Sequence, residues 1–396
     1  MSRAARSGLV TATLLAGSVG CGAKSDLDVP PRECRPPDPP PLSCPSLRAG
    51  EAVVISEGSE SVTALDVAPF ESGAIVLRRS ILASGGAEQW RVVTLDGRGR
   101  VVDRGARDLI GETDDPLRRS EGSITAGCTP IALLEERVDA MGLEARCTLV
   151  PIDPLPIRFR PRALPTITAG CHDLLDDALG PSFVEPGLPT RVVHVSRDGA
   201  IGETSTLTPS GPWLTLRPQR LALANGGWAI PYFPSGGGVG VVLLDPTSRQ
   251  IGETRWGIGD SPVGVATTTT RAVWEAANGP AEAPIRIETV GLLPDGRPEG
   301  EHHILPTEGF FILAYGLALV DVGEHTIFLF RGGRIGEEAR VHVGTLDHEG
   351  NLLEGPTPLV SADRARLVPT ANGAIAILVR GNRELAEVQA IPLDCE

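Results

Sequence analysis

Several things are scarce in this sequence, and each shortage excludes something. Lys24 is the single lysine among 36 basic residues, which face 50 acidic ones for a net charge of −14. Phosphate contacts need a basic patch, so nucleic acid is not an expected partner. Aromatic residues make up 4%. No closely spaced cysteine pair has histidine nearby, so a zinc-type site is not expected. The nucleophile elbow Gly-x-Ser-x-Gly does not occur. Ser235-Gly236-Gly237-Gly238-Val239-Gly240 has glycine enough for a phosphate loop but lacks the Lys-Ser/Thr and helix that would make one, and it reads as a hairpin loop. Beyond residue 20 no uncharged apolar run approaches the roughly 20 residues of a spanning helix. What is plentiful is Gly 47 and Pro 35, about a fifth of the chain, which argues against a mainly helical protein. With 41% hydrophobic residues the chain can bury a core, and its glycines have no three-residue period.

The first twenty residues read as a leader. Arg3 and Arg6 precede an uncharged, largely apolar stretch at 8–20, and Cys21 follows at once. A basic start, a short apolar run and small residues before a cut site describe a secretory signal. Ser18-Val19-Gly20-Cys21 resembles the lipobox of bacterial lipoproteins, with Ser18 where that family prefers Leu. The resemblance implies that Cys21 becomes the lipidated N-terminus. Gly22 after it implies the outer membrane by the same analogy. The expected partner through this anchor is the membrane. Residues 21–50 hold Pro30, Pro31, Pro36, Pro37, Pro39, Pro40, Pro41 and Pro45, which predicts an extended polyproline spacer.

From about residue 51 the chain repeats. An apolar strand, an Asp with a turn, and a second strand recur around Asp96, Asp153, Asp198, Asp245, Asp295, Asp347 and Asp394, spaced by about 45 to 57 residues. Asp and Gly at these places are turn chemistry, the carboxylate capping backbone N–H groups. A second turn-plus-strand element, as in Asn-Gly-Gly-Trp-Ala-Ile at 225–230, precedes the anchor by about 20 residues. Ile-Gly-Glu, at 201–203 and 251–253, reads as a fourth strand. Four short strands per unit of about 50 residues match one blade of a β-propeller. The expected fold is therefore all-β, with seven four-stranded blades over 51–396. The last unit has no room for its fourth strand, so residues 51–56 are expected to close the ring. The body is similar in architecture to WD40-like and quinoprotein-like propellers, without the Gly-His, Trp-Asp or tryptophan-docking signatures, so the resemblance implies fold and little about function.

With Cys21 set aside, six cysteines remain, and an exported chain with an even number predicts three disulfides. Repeat phase suggests Cys44–Cys395, stapling the ring, then Cys128–Cys171 and, as the remainder, Cys34–Cys147. No catalytic constellation, metal site or cofactor is expected. His302-His303 is the one histidine pair, and neighbours on a strand face opposite ways. The anchor aspartates stand nearly alone, unlike a calcium loop. The densest polar cluster, His172, Asp173, Asp176 and Asp177, is read as a candidate recognition loop. Trp90, Trp213, Trp228, Trp256 and Trp274 read as blade packing or as part of a binding face. The function expected is non-enzymatic: a binding or scaffold lipoprotein at the cell envelope, meeting a protein or glycan. The alternative is a hydrolase or lyase acting on surface polysaccharide or peptide at the channel mouth.

Overall fold

A computed structural model describes residues 43–396 apart from 57–59, 83–88, 109–119, 126–129, 138–144, 155–156, 160–161, 165–169, 188, 197–198, 210–219, 235–236, 258–260, 278–284, 308–309, 313–315, 335 and 382–385. The leader, Cys21, Cys34, Cys128, Asp198 and Trp213 lie outside the described residues. So does the spacer up to residue 42.

Every described element is a strand, all the pairings are antiparallel, and most strands pair with the next one in sequence. The simplest groups are four-stranded. One is His172–Asp177, Gly180–Glu185, Thr190–Val195 and Ile201–Leu207. Another is Leu221–Ala222, Trp228–Tyr232, Gly240–Leu244 and Gln250–Arg255. A third is Ser261–Thr267, Arg271–Ala277, Ile285–Leu292 and Pro298–Ile304. Five-stranded sheets form between Ser120 and Ala163 and between Phe310 and Pro358. Sequential meanders of this kind are propeller blades, and the fold is an all-β propeller.

The two ends of the chain share one nine-stranded sheet. It holds Glu60–Phe70, Gly73–Leu82, Gln89–Leu95 and Val101–Asp108 from the first part of the body, and Arg364–Thr370, Gly373–Gly381 and Ala386–Cys395 from the last. Among the described residues a single pair, Glu60 with Ala386, joins the two halves. The strands Leu47–Ala49 and Val53–Val54 both pair with Ala386–Cys395. The body thus begins before residue 51. Cys44 is fully buried and bonded to Cys395, and the Cys44 amide donates to Nδ1 of His325.

Position within a group sets polarity. Gln89–Leu95 is buried along almost its whole length, and Trp90, Val92, Val93 and Leu95 make up most of it. Ile201–Leu207, the last strand of its group, is exposed at its first four residues and carries Gly, Glu, Ser and Thr. A middle strand is covered on both faces, whereas an outer strand meets water.

The apolar clusters lie between groups that follow one another. Ile75, Leu77 and Trp90 pack with Ile124, Leu134 and Ile152. Leu133 and Cys147 pack with Phe183 and Val193, and Val184 and Val192 with Ile230 and Val242. Val241 and Leu243 meet Trp274 and Val290, and Val273 and Ile287 meet Phe328 and Phe330. Val341 and Val343 meet Leu378 and Leu393, and Val76 and Val93 meet Ile375, Ile377 and Val388. Each fully buried aliphatic side chain contributes about 1.5–3 kcal/mol, so the cohesion of the fold lies in these shared cores.

The recurrent hairpin turns carry the expected chemistry. Asp96 Oδ1 accepts the amides of Arg98 and Arg100, each at 2.9 Å. Asp245 Oδ1 does the same for Thr247 and Arg249, and Asp347 Oδ1 for Glu349 and Asn351. Two anchors need correction. The turn position of Asp96 is filled by Ser196, whose Oγ accepts the Ala200 amide at 3.0 Å, and by Leu293. The anchors assigned to Asp198 and Asp295 therefore lie two residues too late, because Asp also suits the interior of such a turn. The turns also latch neighbouring groups: Ala178 N donates to Pro246 O at 2.9 Å, and Asn225 N to Pro294 O at 3.0 Å.

The second described disulfide is Cys147–Cys171. Neither Cys128–Cys171 nor Cys34–Cys147 forms, since both would use a cysteine already bonded. Repeat phase pairs equivalent positions. The core cluster instead sets Cys147, on Ala145–Pro154, against Cys171 across the boundary between two groups.

Candidate functional site

The cluster read as a recognition loop is not a loop. His172, Asp173, Asp176 and Asp177 belong to the strand His172–Asp177, the first of its group. His172 is buried with Nδ1 3.2 Å from Glu135 Oε2, Asp173 and Asp177 point into the fold, and Asp176 is exposed. Polar density in the sequence suggested solvent, but a ladder shift between His172 and Leu175, with Asp173 at φ 57°, turns these side chains inward. Aspartate tolerates this left-handed conformation better than most residues.

Asp173 and Asp177 converge on Arg220, whose side chain is fully buried. Asp173 Oδ2 accepts from the Arg220 amide at 2.6 Å and from its Nε at 3.1 Å. The guanidinium Nη1 donates to Ser182 Oγ and Ser248 Oγ at 2.7 and 3.0 Å, and Nη2 to the carbonyls of Asp173 and Ser182. Both serine hydroxyls donate to Asp177 Oδ2, at 2.8 and 2.7 Å. His194 Nδ1 lies 3.5 Å from Asp177 Oδ1. Serine, histidine and aspartate thus share one cluster, but the hydroxyl protons go to the carboxylate and not to an imidazole, and both serines are fully buried. A serine nucleophile needs its base within reach and a path for substrate. This is a structural hub.

A more open arrangement lies along the inner strands. First strands of several successive groups pack side by side, as Glu60–Phe70 does with Ser120–Ile124 and Ser120–Ile124 with His172–Asp177, and some of their backbone N–H groups have no ladder partner. Side-chain oxygens of the preceding group meet them. Asp66 Oδ2 accepts the Ile124 amide at 2.9 Å, Ser123 Oγ the Leu174 amide at 3.0 Å, and Glu135 Oε2 the Cys171 amide at 2.9 Å. Glu275 Oε1 takes the Gly316 amide at 3.3 Å.

Asp66 stands out among these groups. It is half-buried, on the strand Glu60–Phe70. Burial raises its carboxyl to about 6, with Arg366 and the amides of Ile124 and Val67 pulling the other way and the Asp173 charge adding to the rise. Asp173 is raised as well, by burial, against the pull of Arg220. Arg366, on the inner strand Arg364–Thr370, is exposed and donates from Nη1 to Ala365 O at 3.0 Å.

This geometry makes a pH-dependent prediction. Asp66 titrates near 6 in the fold against 3.8 for a free aspartate. Between those values the native state holds a proton that the unfolded chain has lost. The stabilising contribution of the neutral form is therefore complete below 3.8 and vanishes as pH rises through 6, a loss of about 3 kcal/mol. Asp66→Asn keeps an acceptor for Ile124 and carries no charge. Urea unfolding should show it about 2–3 kcal/mol more stable relative to wild type at pH 7.5 than at pH 3.5. The same difference at both pH values would contradict the assignment.

Asp66, Arg220, Arg366 and Glu135 were not singled out in the sequence. Asp66 carried a readable signal, a lone carboxylate inside Ala64-Leu65-Asp66-Val67-Ala68, because an isolated charge in an apolar strand needs a reason to be there. The other three give no such signal. His302 does face away from His303: its ring stacks on Trp274, centroids 5.2 Å apart, and Nε2 lies 2.9 Å from Glu288 Oε2. Among the described residues no three His, Cys, Asp or Glu side chains group as metal ligands would. Of the described tryptophans, Trp90, Trp256 and Trp274 are core residues, and Trp228 lies 5.8 Å from the Arg220 guanidinium.

No protein family model matches this chain, and no curated protein matches it in sequence. Solved structures share its general build at low identity. A protein of unknown function from Dyadobacter fermentans superposes with TM-score 0.47 at 10% identity, over 89% of this chain and all of that one. The β-propeller domain of the Trilobed protease from Pyrococcus furiosus gives 0.45 at 8%, over 85% and 94%. The apocarotenoid oxygenase of Synechocystis gives 0.42 at 15%, over 69% and 67%.

Proposed function

We propose that this protein is an exported, lipid-anchored binding protein. Its body is a closed ring of seven blades, held off the membrane by the proline-rich segment that follows Cys21. Seven apolar clusters, each shared by two successive groups and the last shared between the two chain ends, support that ring. Two disulfides support an oxidising, extracytoplasmic setting. The observation that carries binding over catalysis is the commitment of the inner carboxylates: Asp66 holds the Ile124 amide and Asp173 holds Arg220.

The full-length chain should partition with the outer membrane of a bacterial host, and Cys21→Ser should move to the soluble periplasm. Crosslinking on intact cells should then capture a discrete envelope protein or glycan with the wild type. Identical partitioning of the two proteins, or no enriched partner, would count against the proposal.

The rise of Asp66 toward 6 favours a second reading, a hydrolase or lyase with Asp66 as its acid. That reading requires new reducing ends or peptide termini when the protein meets envelope polysaccharide or peptide, and their loss in Asp66→Asn.

A further inference from the structure

A cleft of about 490 Å³ opens where the strand His325–Arg334 turns into Arg340–Leu346, beside the last residues of Leu352–Pro358. Of the side chains that line it, only His342 is buried. His342 stands on the middle of three paired strands, opposite Phe330 on one neighbour and Pro358 on the other. Its ring stacks on Phe330, centroids 5.1 Å apart, and its Nδ1 lies 3.2 Å from the Arg340 carbonyl. A carbonyl only accepts, so Nδ1 carries the proton and Nε2 the lone pair of the neutral ring. Burial holds the ring below its ordinary pKa and keeps it neutral at neutral pH.

The rim carries Arg334, Glu337, Glu338 and Arg340, all exposed. Two guanidiniums and two carboxylates cancel in net charge, and both acids lie between the arginines in sequence. Glu338 Oε1 accepts from Ser361 Oγ at 2.8 Å. Among the described residues Glu337 and Arg340 form no ion pair within 4.0 Å. A lone anion would meet the arginines but face two carboxylates, and a lone cation would meet the reverse. A molecule with one positive and one negative end does not match acids flanked by arginines. A hydroxyl donates and accepts at once, so an uncharged polyol suits carboxylate and guanidinium together. Pro356 and Pro358 add apolar surface for its C–H groups. The volume falls within the roughly 300–1,000 Å³ of sites that hold small ligands.

We propose that this cleft binds an uncharged saccharide, its hydroxyls shared between Glu337 and Arg340 over His342 and its C–H face on Pro356 and Pro358. The inference deepens the reading of the body as a binding protein and rests on it, but not on export or lipidation.

Titration calorimetry on the purified, oxidised protein tests it, with D-glucose, D-galactose, N-acetyl-D-glucosamine and maltose as probes. D-glucuronate and D-glucosamine, which add one charge of either sign to the same ring, are the controls. At least one probe should bind saturably, with a Kd below about 1 mM and about tenfold or more tighter than either control. Glu337→Gln combined with Arg340→Gln should weaken that binding about tenfold. Both residues are exposed, so this variant should fold normally and keeps the test valid if another does not. His342→Phe retains a ring to stack on Phe330 and should also weaken binding. In the wild type the His342 ring signals, assigned by their loss in that variant, should shift at saturation in proton NMR. The proposal is overturned if no probe binds, if glucuronate or glucosamine binds as tightly, or if the Glu337/Arg340 variant binds like wild type. Saccharide binding without envelope capture would sink the export reading alone. Capture of an envelope protein without saccharide binding would sink this site alone.

Discussion

Unlinking the chain ends, by replacing Cys44 and Cys395 together with serine, should destabilise the fold by about 3–5 kcal/mol. The two cysteines are 351 residues apart in sequence. A crosslink over so long a loop removes more freedom from the unfolded chain than a short one does, with a ceiling near 6 kcal/mol against roughly 3.5 kcal/mol for the 24-residue separation of Cys147 and Cys171. The native side of the balance points the same way. Apart from the disulfide, the N-terminal segment is held by strands of three and two residues, by the fully buried Ile55 and by isolated hydrogen bonds, among them those of the Cys44 amide to His325, the Leu47 amide to Glu354 and the Gly50 amide to Pro392. Arg104 adds a hydrogen bond from Nη1 to Ile55 O at 2.8 Å. Equilibrium unfolding in urea of the Cys44/Cys395 and Cys147/Cys171 double serine variants makes the comparison. Equal losses, or a larger loss for the shorter loop, would mean that the ends are held mainly by packing. Hydrogen exchange should also rise first along Leu47–Ala49 and Val53–Val54 in the Cys44/Cys395 variant.

Arg220→Leu should cost a similar amount, about 3–5 kcal/mol, for a different reason. The guanidinium neutralises two enclosed carboxylates and gives hydrogen bonds to two hydroxyls and two carbonyls. Leucine fills much of the volume but leaves Asp173 and Asp177 charged and without their cation. Adding Asp173→Asn and Asp177→Asn to Arg220→Leu should recover most of the loss, because an unpaired buried charge costs more than a missing pair. Arg220→Lys should recover little, since one ammonium cannot reach acceptors that a planar group reaches on two sides. Thermal and urea unfolding of the four proteins settle it; a triple variant no more stable than Arg220→Leu would show that the loss comes from packing.

A seam of buried charge marks where the two chain ends meet. Arg78 and Arg91 stand directly opposite each other on paired strands, and Glu60 lies between them, 2.9 Å from Arg78 Nε and 3.9 Å from Arg91 Nε. Like charges across a ladder are unfavourable on their own. Glu60 also makes the backbone pair with Ala386 that joins the two halves of the nine-stranded sheet among the described residues. The same residue therefore offsets the repulsion and sets the register between the first and last parts of the body.

How much was legible depended on how local the cause was. The turns at Asp96, Asp245 and Asp347 were readable because a carboxylate capping amides two and four residues ahead is a property of five adjacent residues. The phase slipped at Ser196 and Leu293, where the same turn is built with other side chains and an aspartate stands two places later. The fourth strands at Ile201 and Gln250 were readable from their polarity, since an outer strand must meet water. The disulfide partner of Cys171 was misassigned because repeat phase ranks equivalent positions as neighbours, while the packed boundary puts Cys147 there. The strand His172–Asp177 looked like a solvated loop because nothing local reveals that Arg220, more than forty residues on, neutralises it.

By itself the sequence determined the all-β class, the repeating four-strand unit and the placement of the turns, because strand alternation and turn chemistry act over a few residues. Only the tertiary structure decided that Asp66 accepts the Ile124 amide and that Arg220 is consumed by the hub. Those facts depend on how one sheet packs on the next. The chain pattern encodes which side chains are apolar enough to be covered, and leaves open which distant strand does the covering.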